Sequence, residues 1–294
     1  MQDFRYKSVT LLILLTAALL EFFGCSAGGS LRRRSQLRKI NSWVCVYSKD
    51  ASPTDIRKFD LAILDADMHP ELMTLKGNTL MMGYVSLAEV TDNRWFWPEI
   101  SAKSWVLDKN TSWNSWFVDV RSPEWHEMVL NRIIPAILEQ GFDGLFLDTV
   151  DNAEYLERYH PAKNYPGSEE AMVQLIKKIR KKYPDIYIIA NRGYAILDRI
   201  GGVLDALVAE STFAIWDTEA KRSRILNSVE FEITVKNLKA TQARFKLPIL
   251  SLDYVEYANP VAIERILSRS RECGFIPYIS TPDLFKIYFH TFEL

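Results

Sequence analysis

Polar side chains in this chain repeatedly stand where a short apolar run ends. Asp65 and Asp67 follow one run. Tyr84, Ser86 and Glu89 lie at or beyond the next. Asp148 and Asp151 end a third, Asn191 and Arg192 a fourth, Glu210 a fifth, and Asp253 with Tyr254 a sixth. Several of these are carboxylates, and two convergent carboxylates suit acetal hydrolysis. One protonates the leaving oxygen while the other attacks the anomeric carbon or activates water. No Ser-His-Asp order, phosphate-binding glycine loop or zinc motif competes with that chemistry. His69, His126, His160 and His290 are scattered without ligand spacing, so neither a metal nor another cofactor is expected.

The clearest segment is Gly141-Phe142-Asp143-Gly144-Leu145-Phe146-Leu147-Asp148-Thr149-Val150-Asp151. A turn at Asp143-Gly144 leads into an apolar strand, and Asp148 stands where that strand opens to solvent. A helix cap is the competing role for an acid here, and Asp151, three residues further on, fits it better than Asp148.

Such residues meet only if the runs are parallel strands whose C-terminal ends share one mouth. Eight strands are expected, at Trp43-Tyr47, Leu61-Asp65, Thr79-Leu87, Gly144-Thr149, Ile186-Asn191, Ala206-Glu210, Pro248-Tyr254 and Phe275-Ser280. Most are continuously apolar, as strands covered on both faces should be. Helical patterns separate them. Ser122-Pro123 starts one helix and Gly141 stops it. Met172, Leu175, Ile176, Ile179 and Tyr183 share one face of a second, and Asn259-Pro260 opens a third that Gly274 closes. The alternation predicts a single α/β (β/α)8 barrel over residues 42–294. Trp116-Val120 also reads as extended, within a long insertion from Ala88 to Ser122 after the third strand. That insertion holds Trp95, Trp97, Trp105, Trp113 and Trp116. Aromatic rings there could stack on sugar faces or form the insertion's own core.

The remaining composition sets limits. The chain has 294 residues, 48% of them hydrophobic and 25% charged, a balance that excludes a disordered or fibrous chain. Its net charge of -1 gives no reason to expect nucleic acid. Arg5 and Lys7 precede an apolar run from Val9 to Leu20, which reads as a signal peptide over residues 1–25. Gly24-Cys25 is similar to a lipobox, which would make Cys25 a lipidation site and the protein an exported, membrane-anchored one. Residues 26–41, with Arg32, Arg33, Arg34, Arg38 and Lys39, read as a flexible basic linker, either solvated or resting on anionic headgroups. Cys45 and Cys273 sit beside apolar residues and are expected as free thiols, and the protein is expected to be a monomer.

Four segments together resemble glycoside hydrolase family 114: Asp119-Val120-Arg121-Ser122-Pro123, the Gly141–Asp151 segment, Asn191-Arg192-Gly193 and Ala209-Glu210-Ser211. Gly83-Tyr84-Val85-Ser86 with Glu89 is similar to the family's third-strand motif, with Ala88 where glycine is commoner. The resemblance spans Trp43 to Ser280. It implies a retaining endo-hydrolase of α-1,4-linked, galactosamine-rich polysaccharide, with Asp148 as nucleophile and Glu210 as acid/base. Tyr84, Glu89, Asp119, Asp151, Asn191, Arg192, Asp253 and Tyr254 become substrate-shaping or supporting groups. Asp119 could instead pair with Arg121 or cap a helix, and Arg192 could serve by positioning a carboxylate. A catalytically silent carbohydrate-binding lipoprotein with the same mouth is the alternative. Carboxyl separation bears on the choice: about 5–5.5 Å suits a retaining pair and about 6.5–9.5 Å an inverting one.

Overall fold

The computed structural model describes residues 29, 32–75, 77–161 and 163–289. The expected signal segment and Cys25 lie outside the described residues.

Eight parallel strands form one sheet. They are β1 (Trp43–Val46), β2 (Leu61–Asp65), β3 (Leu80–Ser86), β7 (Gly144–Asp148), β8 (Tyr187–Asn191), β9 (Ala206–Glu210), β12 (Ile249–Tyr254) and β13 (Ile276–Ser280), paired in that order. Every expected strand is present, within one residue at either end. Leu61–Asp65 is buried along its whole length, as a strand covered on both faces must be. The two ends of the sheet come together through side chains. The Trp43 indole N–H donates to the Ile276 carbonyl at 2.8 Å, and the Trp43 and Tyr278 ring centroids are 5.6 Å apart. The result is a near-closed (β/α)8 barrel. Register brings the functional ends level. Asp65 pairs with Tyr84, Ser86 with Asp148, and Leu252 with Glu210.

The helices obey their sequence signals. Ser122 Oγ caps Pro123–Met128 by accepting from Trp125 N. That helix passes through one π turn, Val129–Ile133, before continuing as Ile134–Leu138. The wide turn stands just ahead of Pro135, whose ring and missing N–H cannot fit a regular ladder. Gly141 and Gly274 end their helices with φ of 105° and 78°, where a Cβ would be strained. Ser168–Lys182 and Pro260–Glu272 complete the expected set.

The insertion after β3 is a small sheet of its own. β4 (Glu89–Val90), β5 (Val106–Asn110) and β6 (Ser115–Val118) pair antiparallel in the order β4-β6-β5, and β6 is the extra extended piece expected near Trp116. Its tryptophans divide between the two roles. Trp105 is buried and the Trp97 and Trp116 rings lie 4.5 Å apart, whereas Trp95 and Trp113 are 48% and 63% exposed. A hairpin, β10 (Ala214–Asp217) with β11 (Arg222–Ile225), follows β9.

The basic stretch is not a solvated linker throughout. Residues 32–37 are helical, and Arg33 and Arg34 are buried at the N-terminal end of the barrel. Arg34 donates to the carbonyls of Leu204, Phe245, Gly201 and Gly202 at 2.6–3.0 Å. Arg33 Nε lies 3.2 Å from both oxygens of Asp205. A guanidinium presents five donors, and loop carbonyls at a barrel base are acceptors short of partners. A run of arginines that looks water-loving in sequence is therefore part of the fold.

Candidate active site

Four neighbouring strand ends contribute side chains to the mouth. Asp148 ends β7, Asn191 ends β8, Glu210 ends β9 and Tyr254 ends β12. One amide joins the carboxylates. Asn191 Nδ2 donates to Asp148 Oδ1 at 2.9 Å and to Glu210 Oε2 at 2.6 Å. Two phenols complete the set. Tyr84 OH donates to Asp148 Oδ2 at 2.9 Å, and Tyr254 OH to Glu210 Oε1 at 2.7 Å. Because both legs of the amide bridge start at one nitrogen, the two bridged oxygens stand no more than about 5.5 Å apart.

The backbone turns sharply after Asp148, Asn191 and Glu210. Thr149, Arg192 and Ser211 have φ of 58°, 53° and 55°, a left-handed conformation that costs a residue bearing a Cβ, and most of all a β-branched one. Local bonds hold Thr149 there. Its Oγ1 donates to the Asp148 carbonyl at 2.7 Å and accepts from Ala88 N at 2.8 Å. These turns carry the chain away from the sheet and leave the side chains of Asp148, Asn191 and Glu210 facing one cavity of about 370 Å³.

The two carboxylates differ in setting. Burial raises the Glu210 pKa, and the Asp148 charge raises it further; the bonds from Asn191 and Tyr254 and the charge of Arg192 oppose both. A carboxyl kept protonated above its ordinary range is suited to donate a proton. Asp148 accepts two hydrogen bonds, one from Tyr84 and one from Asn191. Tyr84 and Tyr254 are pushed by burial well above the ordinary phenol range, so both remain neutral donors. Tyr254→Phe removes a bond that favours ionised Glu210. The alkaline limb of the kcat/KM profile is therefore expected to move to higher pH in that variant, with the acidic limb nearly fixed. A limb that stays put would mean Glu210 does not set it.

The other sequence candidates sort into two groups. Arg192 and Asp151 line the cavity and face each other at 3.2 Å. Asp151 stands at the N-cap of Asn152–Glu154 but makes no capping bond, so the cap role considered for it is not the one it has. Its pKa is raised, first by burial and then by Asp148, against the pull of Arg192. Glu89 also lines the cavity, but its carboxylate is occupied by Asn110, Asn152 and Ser115, which clip the insertion to the loop after β7.

Two candidates do not reach the cavity. Asp119 is bound in two places by Arg121, at 2.8 Å each, so the ion pair considered for it is the arrangement found. Asp253 is fully buried, and its Oδ1 accepts from Phe213 N and Ala214 N at 2.7 and 2.9 Å. It shapes the turn that follows Glu210. Burial pushes its pKa from 3.8 to about 7. The folded protein therefore holds an extra proton between those values, and this contribution to stability is complete below about pH 4 and lost as the pH rises through 7. Asp253→Asn should flatten the fall in Tm across that window. An unchanged slope would show that Asp253 ionises normally.

Sequence reading missed Arg94. It comes from the insertion, forks onto Asp65 at 3.0 and 2.6 Å, reaches Asp67 at 2.8 Å, and lies 5.4 Å from the Tyr84 ring centre. It thus ties the insertion, with exposed Trp95, to β2 and to the phenol that contacts Asp148. Tyr47 was missed as well; it packs edge-on to Tyr84 with centroids 5.3 Å apart. Among the described residues, no three His, Cys, Asp or Glu side chains converge as a metal site.

Comparison with known proteins matches this arrangement to a family. Residues 30–292 fit the family model described as glycoside-hydrolase family GH114. The chain belongs to that family. The GH114 barrel superposes on the glycoside hydrolase domain of PelA from Pseudomonas aeruginosa with a TM-score of 0.73 and 24% identity, covering 84% of this chain and 96% of that one. The Aspergillus fumigatus Ega3 structure, a complex with galactosamine, gives a TM-score of 0.61 at 11% identity, covering 83% and 92%. An uncharacterised Thermotoga maritima protein is 23% identical over 291 residues, covering 90% of this chain and 87% of that one. At these identities the two structural likenesses establish the fold, and the family match establishes a glycoside hydrolase.

Proposed function

We propose that this protein is a retaining endo-glycosidase of α-1,4-linked, galactosamine-rich polysaccharide, with Asp148 as nucleophile and Glu210 as acid/base. One observation carries the mechanism: the single Asn191 amide that bonds both carboxylates. Its two short legs hold the bridged oxygens within about 5.5 Å, which favours a retaining pair over an inverting one, whose base must leave room for a water between itself and the sugar. In the first step Glu210 protonates the departing glycosidic oxygen while Asp148 attacks the anomeric carbon. In the second, Glu210 takes a proton from water, which releases the sugar from Asp148.

The substrate class is supported by charge and by likeness. Even with Glu210 protonated, Asp67, Glu89, Asp148 and Asp151 line the cavity against Arg94 and Arg192, so acidic groups outnumber basic ones at the mouth. A deacetylated amino sugar is cationic and would be drawn to it. The Ega3 complex contains galactosamine, and PelA is a glycoside hydrolase of the same fold. The test is cleavage of a defined α-1,4-galactosamine oligosaccharide by the whole protein, followed by NMR. A first product of α configuration supports retention; a β product means inversion. Equal rates on fully acetylated and deacetylated chains would remove the charge argument. Binding without cleavage would leave a sugar-binding protein in place of an enzyme.

A further inference from the structure

The barrel is electrically polar along its axis, and the chain's N-terminal segment joins it at the basic end. Strands β1–β3, β7–β9, β12 and β13 are parallel, so the loops that precede them share one end, the base, opposite the mouth. Exposed on base loops and adjoining helix ends are Arg38, Lys39, Arg57, Lys181 and Lys246, with Arg32 on the N-terminal helix beside them. The exposed acids of the same loops, Glu139, Asp143, Asp185 and Glu272, are fewer. The mouth has the opposite balance, as described above. Summed over the chain these nearly cancel to a net charge of -1, so composition alone conceals the segregation.

The latch described above fixes where the N-terminal segment arrives. Arg33 on Asp205, and Arg34 on four carbonyls, hold residues 32–37 against the base. The sequence ahead of that latch carries the apolar run Val9–Leu20 and then Cys25, so an uncleaved chain brings the apolar run to the latch and a chain processed at Gly24-Cys25 brings a lipidated cysteine there. An apolar segment and a cationic surface at the same end of a molecule are the two features that together hold a protein on an anionic bilayer.

We propose that the base of the barrel is a docking surface for an anionic lipid bilayer and that it turns the acidic mouth away from the membrane. This goes beyond the hydrolase reading and does not depend on it. Arg33 and Arg34 do not touch lipid in this arrangement; they orient the segment that does. Attraction between the exposed base cations and anionic headgroups holds the barrel upright, and salt weakens it. A repelled acidic mouth acts in the same direction.

The test uses the full chain with a fluorophore on a bioorthogonal side chain, replacing either Ala243 at the base or Ser112 at the rim. Vesicles of phosphatidylcholine alone, or with about a third phosphatidylglycerol, carry a headgroup energy-transfer acceptor. The 15-residue helix Ser168–Lys182 spans base to rim, a separation of about 22 Å. On anionic vesicles, transfer from position 243 should exceed that from 112 severalfold. About 0.5 M salt should reduce the difference to its value on neutral vesicles. So should the combined variant Lys39→Glu, Arg57→Glu, Lys181→Glu and Lys246→Glu, while its circular dichroism stays that of the parent. Equal transfer from both positions on anionic vesicles, greater transfer from the rim, indifference to lipid charge, or failure to associate would each overturn the proposal.

Discussion

Glu210→Gln is expected to cut polysaccharide about 10²- to 10⁴-fold more slowly than the parent, the usual loss when a general acid is removed. The substitution is nearly isosteric. The new amide oxygen can keep the bond from Asn191 while its NH₂ donates to the Tyr254 hydroxyl oxygen, so folding should be preserved. Its failure would be selective. A substrate with an activated aryl leaving group needs no proton to depart, so its first bond should still break at a substantial rate. The second step, which needs a base to activate water, should then limit turnover. Azide, an anion that attacks without base assistance, should restore turnover and leave a glycosyl azide of retained configuration. Asp148→Asn should lose activity on both substrates and gain nothing from azide at the same anomeric face, because no covalent intermediate can form. If Glu210→Gln remains folded and cuts the polymer at the parental rate, Glu210 is not the acid. The raised pKa of Glu210 sets the expected pH profile of the parent. Its alkaline limb should lie above the ordinary carboxylate range, since the acid form persists there.

The barrel and its mouth were legible because the strands are continuous apolar runs that end abruptly in polar residues. That rule located Asp148, Asn191, Glu210, Tyr84 and Tyr254 together. It failed at Asp253 for a reason the sequence already contained. Successive residues of a strand point to opposite faces, so Asp253 and Tyr254 cannot both enter the mouth. Tyr254 lines the cavity, and Asp253 turns outward to bind the backbone at Phe213 and Ala214. Asp119 failed differently. It is not on a barrel strand, and Arg121, two residues away, occupies both its oxygens. Arg94 could not be found by periodicity, because it lies in an irregular part of the insertion and acquires meaning only when Asp65 and Tyr84 arrive from other strands. The bridge from Asn191 to both carboxylates is likewise a property of three neighbouring strand ends, not of any one segment.

The base of the barrel should prove as sensitive as the mouth, in stability instead of activity. Asp205 is wholly buried and accepts from Arg33 Nε at 3.2 Å, from Arg180 Nη2, and from Ile188 N at 3.0 Å. Asp205→Ala removes the counter-charge from two guanidinium groups that the fold keeps out of water. Breaking one side of a buried ion pair costs about 3–5 kcal/mol, because the remaining charge has lost its partner as well as its solvent. Arg180 keeps carbonyl partners at Val203, Pro184 and Ile186, so the greater part of the penalty should fall through Arg33. Arg33→Met should therefore cost less than Asp205→Ala: it removes a buried charge while Asp205 keeps Arg180. Combining the two should restore part of the Asp205→Ala loss. Urea unfolding of the three variants measures this directly. A loss below about 1 kcal/mol for Asp205→Ala would show that water reaches the cluster and that the latch contributes little. The same cluster sets the boundary of the folding unit. A fragment beginning at Ile40 lacks Arg33 and Arg34, and so leaves Asp205 with one cation and the carbonyls of Gly201, Gly202, Leu204 and Phe245 without their donor. It should unfold at lower urea than one beginning ahead of Arg32, although both contain every strand of the barrel.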